Sequence, residues 1–437
     1  MRAKLILLIV LFGVLWGLKT PVGAMWFYVW VTLFRPQDFT YLPLPNLVPI
    51  AFAILSASLM LGLAQGTVKF RWNKGSFHLI TVMLVCLISS ATSSTSTLAW
   101  DKFNIVFKIL LPSILISNSI SKEKDLQIIT MTFASSIGIW AVQASLQGLM
   151  GGGAVENMGI GGQMSERNDF AVGVVMTWPL CYYWGVMAEN KKVRIAAYTA
   201  SFFVGLCAIV SNSRGAMLGL FLLLFLNFFR KGTKRGRNFV ILLLSIPMII
   251  PMIPQYAIDR LGTIKVGGEQ TEGSAKSRTV LMKAGLAGAM DHPLFGVGTG
   301  CWGAHYMKYV EKMGDGAYEP HSIWIKMSVE LGFIGLGTYL FMLLRIIFNL
   351  RRIQKRGLRT RNLKVYNYAA MLQLAIIGYC SAGSFINQIF YEYMFLLVGI
   401  SGSFIKLYQE GVFDQKQLSS ENKTAVRKTG RYQRRAA

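Results

Sequence analysis

RTVLMKAGLAGAMDHPLFGVGTGCWGAHYMKYVEKMGDGAYEPHSIWIKMSVE, residues Arg278–Glu330, is the one long stretch of this chain that is neither apolar enough to cross a bilayer nor basic enough to be held on its inner side. It contains three of the four histidines, His292, His305 and His321. It ends with Pro320-His321-Ser322 at the mouth of an apolar run. Around it the chain is hydrophobic helix punctuated by basic loops. The stretch therefore reads as an external lid carrying half of a site, with the helices there to place it.

The 437 residues are 53% hydrophobic and 15% charged, with a mean hydropathy of +0.45. A soluble domain of this length carries more charge and breaks its apolar runs more often. Apolar runs of roughly 15 to 23 residues recur from end to end, which predicts an all-α polytopic membrane protein. Lipid offers no hydrogen bonds to an exposed backbone, and the strict alternation of barrel strands is absent. Met1-Arg2-Ala3-Lys4 before an apolar run resembles a signal peptide. Lys19-Thr20-Pro21 is a poor cleavage site and more spans follow, so the segment is expected to stay.

The net charge of +25 would suggest nucleic acid in a soluble protein. Here the excess Lys and Arg lie in short loops, the signature of segments retained inside, and no nucleic-acid partner is expected. Cys86, Cys181, Cys207 and Cys380 lie in apolar segments and Cys301 would stand alone outside. No disulfide framework and no metal-ligand spacing follows, so neither a metal nor another cofactor is expected.

The expected spans are 5–18, 21–34, 47–64, 77–90, 100–118, 126–148, 170–188, 195–212, 215–229, 239–254, 322–344, 366–386 and 393–407. Basic loops fall at Lys69–Lys74, Lys122–Lys124, Lys191–Arg194, Arg230–Arg237, Arg345–Lys364 and the tail from Lys416 to Arg435. With all of these inside, the parity of every crossing after residue 66 agrees. Segments 91–99, 149–169, 212–215, 255–321 and 387–392 are then outside. Segments 5–18 and 21–34 flank Pro21. They are either one broken crossing with Met1 inside, which Arg2 and Lys4 favour, or two crossings with Met1 outside. The expected organisation is N-terminal helices over 1–254, a large outer loop over 255–321, C-terminal helices over 322–407 and a basic inner tail over 408–437. The tail is polar and reads as disordered, in reach of anionic lipid.

This sidedness gathers the chemistry on one face. Arg214, in Ser213-Arg214-Gly215, lies between two apolar runs with almost no loop around it. A guanidinium at that depth costs a few kcal/mol unless an anion pairs with it. Phosphate or diphosphate suits it, because guanidinium grips phosphate oxygens as a fork. The competing reading has it snorkel to headgroups or pair with a distant acid such as Glu392 or Asp169. Arg278 opens a helix-like stretch; a solvated helix face is the alternative there. Arg167 has the same status, with Asn168 and Asp169 expected to cap a helix beginning near Phe170. His321 is the candidate base, since neutral imidazole can take a proton from a sugar hydroxyl. His292 and His305 read as structural or surface residues of the lid. Glu330, about 13 Å further along a helix than His321 and on roughly the opposite face, needs a partner at its depth. It reads as a network residue, and with Arg167 it completes the set in reach of substrate.

The order Ser213-Arg214-Gly215, Arg278, Asp291-His292-Pro293-Leu294-Phe295-Gly296-Val297-Gly298, His321-Ser322 and Glu330-Leu331-Gly332-Phe333-Ile334-Gly335 resembles the O-antigen ligase and polymerase superfamily. That superfamily also contains bacterial protein O-oligosaccharyltransferases. Tyr28-Val29-Trp30, Phe34-Arg35-Pro36 and Glu166-Arg167-Asn168-Asp169 are similar to its exosortase-associated O-glycosylation ligases. The likeness runs to about Tyr339. It implies a glycosyltransferase of GT-C type with about 12 membrane helices and one large periplasmic loop. It also implies a multi-pass protein of the bacterial inner membrane with its site facing the periplasm and its C-terminus in the cytoplasm. Such enzymes transfer a glycan from an undecaprenyl diphosphate carrier to a glycan, lipid or protein acceptor, without a metal or nucleotide sugar. By the same likeness Arg214 and Arg278 would hold the diphosphate and His321 would activate the acceptor hydroxyl. Many members have Asn after that histidine, where this chain has Ser322. A polymerase, joining lipid-linked repeat units by the same chemistry, is the alternative. A transporter of the lipid-linked glycan is the reading from another class. It would place its polar groups near the midplane rather than on one face.

Overall fold

The computed structural model describes residues 2–40, 44–150, 159–230, 273–310 and 319–413. The expected span 239–254, the basic residues 231–237, residues 255–272 and 311–318 of the outer loop, and the tail from 414 lie outside the described residues. The helices are α1 (Arg2–Lys19), α2 (Pro21–Phe34), α3 (Pro36–Phe39), α4 (Val48–Ala64), α5 (Lys74–Ala91), α6 (Ser96–Ser119), α7 (Glu123–Met150) and α8 (Arg167–Met187). They continue as α9 (Lys191–Val210), α10 (Arg214–Phe228), α11 (Gly273–Asp291), α12 (Trp302–His305), α13 (Ile323–Arg359), α14 (Leu363–Gly383) and α15 (Glu392–Gln409). No strand occurs among the described residues. Helices α5, α7, α8, α9 and α13 are long and apolar enough to cross a membrane, and α2, α4 and α10 are shorter apolar helices.

Local chemistry sets the boundaries. Thr20 caps α2 through the Gly23 N–H, with Pro21 at the first helical position, where its missing N–H costs nothing. Asn73 and Ser76 form a reciprocal capping box at the start of α5. Asn190 and Asn362 accept from the Lys192 and Val365 N–H groups at the starts of α9 and α14.

Helices α8, α14 and α15 are buried along most of their length and form the centre of the bundle. The seam between α5, α6 and α15 is made of small residues. Ser117 Oγ donates to Gly399 O (2.8 Å) and Ser403 Oγ to Ser117 O (2.7 Å). A Cβ on Gly402 would lie 2.7 Å from Gly75 Cα, so only glycine lets these backbones meet. Close approach through small side chains is how helices associate where lipid removes the hydrophobic drive.

The connections sort to two ends, as the charge pattern predicts. At one end Arg71 pairs with Glu410, Lys364 with Glu123, and Arg230 Nη2 donates to Gln373 Oε1 (2.7 Å). At the other, Arg35 Nε donates to Ile160 O (3.1 Å), Ser93 Oγ to Val297 O (2.6 Å), and Asn387 meets His321.

Two expectations are corrected. α1 and α2 do not continue one another as a single broken crossing. Gly13 faces Phe27, and Gly17 faces Ala24, so the two helices fold back as a hairpin whose glycines admit the opposite ring and backbone. The basic stretch Arg345–Lys364 is not a loop. α13 runs on through it to Arg359, burying Ile346, Leu350, Ile353 and Gly357 along one face while the arginines take the other.

Candidate active site

The lid is fastened by a broken helix. Gly332 inside α13 has φ 70° and ψ −177°, so the helical hydrogen-bond ladder is interrupted there. Four of the backbone groups this releases find partners in the Pro293–Gly298 segment. The N–H groups of Val297 and Gly298 donate to the carbonyls of Val329 (2.9 Å) and Glu330 (3.2 Å). Phe333 and Ile334 donate to the carbonyls of Pro293 (2.7 Å) and Leu294 (3.4 Å). Buried backbone must be satisfied somewhere, and here the lid supplies what the helix gave up. Glycine is required on both sides. A Cβ on Gly332 would lie 2.2 Å from Leu294 O, and one on Gly296 (φ 72°) 2.3 Å from Val329 O. Ser89 Oγ adds a bond to Glu330 O (2.8 Å). A small core of the lid's own, built on Trp302, Leu281, Val297 and Cys301, packs on Val329 and Ala99.

Glu330 is 1% exposed and serves this clasp. Its Oε2 accepts from the Gly300 N–H (2.9 Å), and Lys326 Nζ stands 3.8 Å from its Oε1. Lys326 also pairs with Glu319 (2.7 Å), bridging the turn that holds His321, and it interacts electrostatically with Asp169. Lys326 was not among the residues singled out from the sequence. A lysine in the first turn of an apolar span is the signal that points to it.

His321 precedes Ser322, the N-cap of α13, and has φ 47°. A left-handed conformation costs a non-glycine residue about 1–2 kcal/mol and persists where the surroundings over-determine it. Three contacts do so: the Lys326–Glu319 pair, Trp324 Nε1 donating to Ser384 Oγ (2.7 Å), and the Asn387 amide 3.1 Å from His321 Nδ1.

The connection from Ser384 to Tyr391, between α14 and α15, gathers the rest. Phe385 packs on Gly215, where a Cβ would lie 2.9 Å from its ring, so the start of α10 sits under this loop. Asn387 meets His321, Gln388 lies beside the Asp169 side chain, and Gln163 Nε2 donates to Phe390 O (2.7 Å). Tyr391 Oη donates to Asp169 O (2.8 Å). Arg214 is the first residue of α10 and is exposed. The first N–H groups of that helix carry partial positive charge beside its guanidinium, a setting suited to an anion.

Arg278 lies on α11, which begins at Gly273, earlier than its apolar pattern suggests. Gly285 of α11 meets Ile325 and Gly288 meets Val329, so α11 and α13 run the same way. Counting back from Gly285 sets the Arg278 backbone about 10 Å before that contact along the α11 axis. Arg167 begins α8 and is half-buried. The expected cap at Asn168 and Asp169 is not formed. The helix starts earlier, with Glu166 at the N-cap and no side-chain cap bond, and Asp169 sits inside the first turn, buried against Gln388 and Tyr391. The polar pair Asn387-Gln388 stands out in an otherwise apolar connection, yet nothing local in the sequence says which residues it meets.

The remaining lid residues are structural. Thr95 Oγ1 lies 3.4 Å from His305 Nε2, and burial holds that imidazole below its usual range. Hydrogen bonds from Tyr309 (2.9 Å) and Lys308 (3.2 Å) hold the Asp291 carboxyl below the usual carboxylate range. Tyr28 Oη donates to Glu392 Oε1 (2.9 Å), and Trp140 Nε1 to Phe34 O (2.7 Å), so the N-terminal aromatic motif braces the same end of the bundle as the Ser384–Tyr391 loop. No group of three or more His, Cys, Asp or Glu side chains is placed to hold a metal ion among the described residues.

A family model described as O-antigen ligase matches residues 199–340. Residues 199–340 form an O-antigen ligase domain. This ligase domain contains Arg214, α11, the Pro293–Gly298 clasp, His321 and the break at Gly332. A second model, described as a family of unknown function (DUF5935), matches residues 1–210, which include the α1–α2 hairpin and Asp169. No curated protein matches the chain. The loop that meets His321 and packs on Gly215 lies beyond the matched ligase domain, between the C-terminal helices α14 and α15. Its apolar helices and its O-antigen ligase domain make this an integral membrane protein.

Proposed function

We propose that this protein is a glycan ligase that transfers a saccharide from an undecaprenyl-diphosphate carrier to an acceptor hydroxyl at the periplasmic face of the bacterial inner membrane. The observation that supports it is the Ser384–Tyr391 loop, which brings the start of α10 with Arg214 and the His321 turn to one place. In this reading about a dozen crossings hold residues 255–321 outside and the basic tail inside. In this reading the start of α1 lies on the same outer side as residue 35, at the open end of the α1–α2 hairpin.

The chemistry follows from the groups. The bond between the anomeric carbon and the diphosphate oxygen breaks, and the electron pair leaves with the diphosphate. Arg214, the start of α10 and Arg278 stabilise that charge. The acceptor oxygen forms the new glycosidic bond and its proton passes to His321. The leaving group arrives activated and the guanidiniums supply the positive charge, so the scheme runs without a metal. Glu330 and Lys326 act on the clasp, and Arg167, at the start of α8, is in reach of substrate.

Arg214→Lys separates charge from geometry. Lysine keeps the charge but not the fork, and the residue is exposed, so the fold is retained while transfer falls about 10²-fold. Transfer at the wild-type rate would remove the diphosphate role.

The test of the whole reading is reconstituted transfer with a labelled undecaprenyl-diphosphate glycan and candidate acceptors. Glycosylation of a lipid or protein acceptor supports the ligase. Growth of the lipid-linked glycan itself makes the protein a polymerase with the same site. Movement of labelled lipid across liposomes without any transfer overturns the enzyme reading.

A further inference from the structure

A base at position 321 needs its proton on the correct nitrogen. Imidazole that accepts at Nε2 must carry its hydrogen at Nδ1. The group beside Nδ1 is the Asn387 amide, 3.1 Å away. An amide turned with its oxygen inward accepts Nδ1–H and leaves the Nε2 lone pair to act. Turned with its nitrogen inward it donates to Nδ1, and Nε2 then carries the hydrogen and cannot accept another. The oxygen and nitrogen occupy nearly interchangeable positions. With the nitrogen toward His321, Asn387 Oδ1 is buried without a hydrogen-bond partner. Reversing the amide moves that deficit to the nitrogen, so the hydrogen-bond count does not choose between the two. The chemistry of proton acceptance does.

We propose that Asn387 is a positioning residue for transfer, whose side-chain oxygen holds His321 in the Nδ1–H tautomer. The inference rests on reading His321 as the base. The site is built to make such a bond selective. His321 is fixed in a left-handed turn by neighbours on its own helix, so its ring presents one edge to the Ser384–Tyr391 loop. That loop is pinned in turn by Gln388 on Asp169, Phe385 on Gly215 and Gln163 on Phe390 O. Neither partner is free to swing away, which is the condition for one hydrogen bond to set a tautomer.

The tautomer is read directly in full-length protein labelled with ¹⁵N-histidine in nanodiscs. The chain has only four histidines, and His321→Gln identifies the signal. A protonated Nδ1 and an unprotonated Nε2 at neutral to alkaline pH are expected; the reverse pattern overturns the proposal. Asn387→Ala should lower the turnover rate by about 10- to 100-fold with little change in donor affinity. Asn387→Asp accepts the same hydrogen and should restore much of the rate. Its carboxylate favours imidazolium, and the base must be neutral, so the acid limb of the pH–rate profile moves to higher pH by about one unit. Among the described residues Glu319, Lys326, Asp169 and Arg214 are ionisable groups around this turn that stay the same in every variant, so the difference reports position 387. Should Asn387→Ala fail to fold, the Asp variant and the tautomer measurement still decide. Wild-type rate and profile in both variants would sink the proposal. If His321→Ala itself transfers normally, the base reading has failed instead, and the two failures are told apart.

Discussion

His321→Ala is expected to lower glycan transfer by about 10²–10⁴-fold while the protein remains folded, the range lost with a general base. Folding should survive because His321 is half-buried in a turn and not in the bundle core. Removing its side chain also relieves nothing in the clasp, which is made of backbone groups from Pro293 to Gly298. The loss should appear in turnover more than in donor affinity, since the diphosphate is held by other groups. Transfer assays with saturating donor, paired with thermal unfolding in the same detergent, check both halves. A variant that unfolds at the wild-type temperature and still transfers at the wild-type rate would leave His321 a helix-entry residue.

Gly332→Val should open the lid. Valine at φ 70° is strained, its Cβ would collide with Leu294 O, and a continuous helix would reclaim the four backbone groups that now hold Pro293–Gly298. Left-handed strain alone costs about 1–2 kcal/mol and each lost bond about 1 kcal/mol. Lid docking should therefore weaken by several kcal/mol, about a thousandfold or more in the open population. Hydrogen exchange should speed up at Val297, Gly298, Phe333 and Ile334 and stay slow along α8 and α14, which lie in the main core. Transfer should fall with it, because α11 and the His321 turn both stand on α13. Unchanged exchange at these four amides would mean that the clasp is not what holds the lid.

Much of this was legible in the residues. Apolar runs near 20 residues placed the helices because a bilayer accepts few other solutions, and each expected span in the described residues has its helix within a few positions, except that α13 runs on past the expected end at 344 to Arg359. Basic loops sorted the connections into two sets because lysine and arginine resist translocation. His321 and Arg214 stood out because polar groups at helix mouths in an apolar chain need a reason.

What the residues did not show is pairing. Gly332 looks like any glycine in a helix until its positive φ is matched to Pro293–Gly298. Asp169 looks like a cap until Gln388 is found against it, and the hairpin of α1 and α2 depends on which faces their glycines open. Asn387 lies 66 residues from the histidine it touches. The pattern along a chain reports what each segment needs from its solvent, because burial and charge act residue by residue. Which segments then satisfy one another is set by long-range packing, and only the tertiary structure decides it.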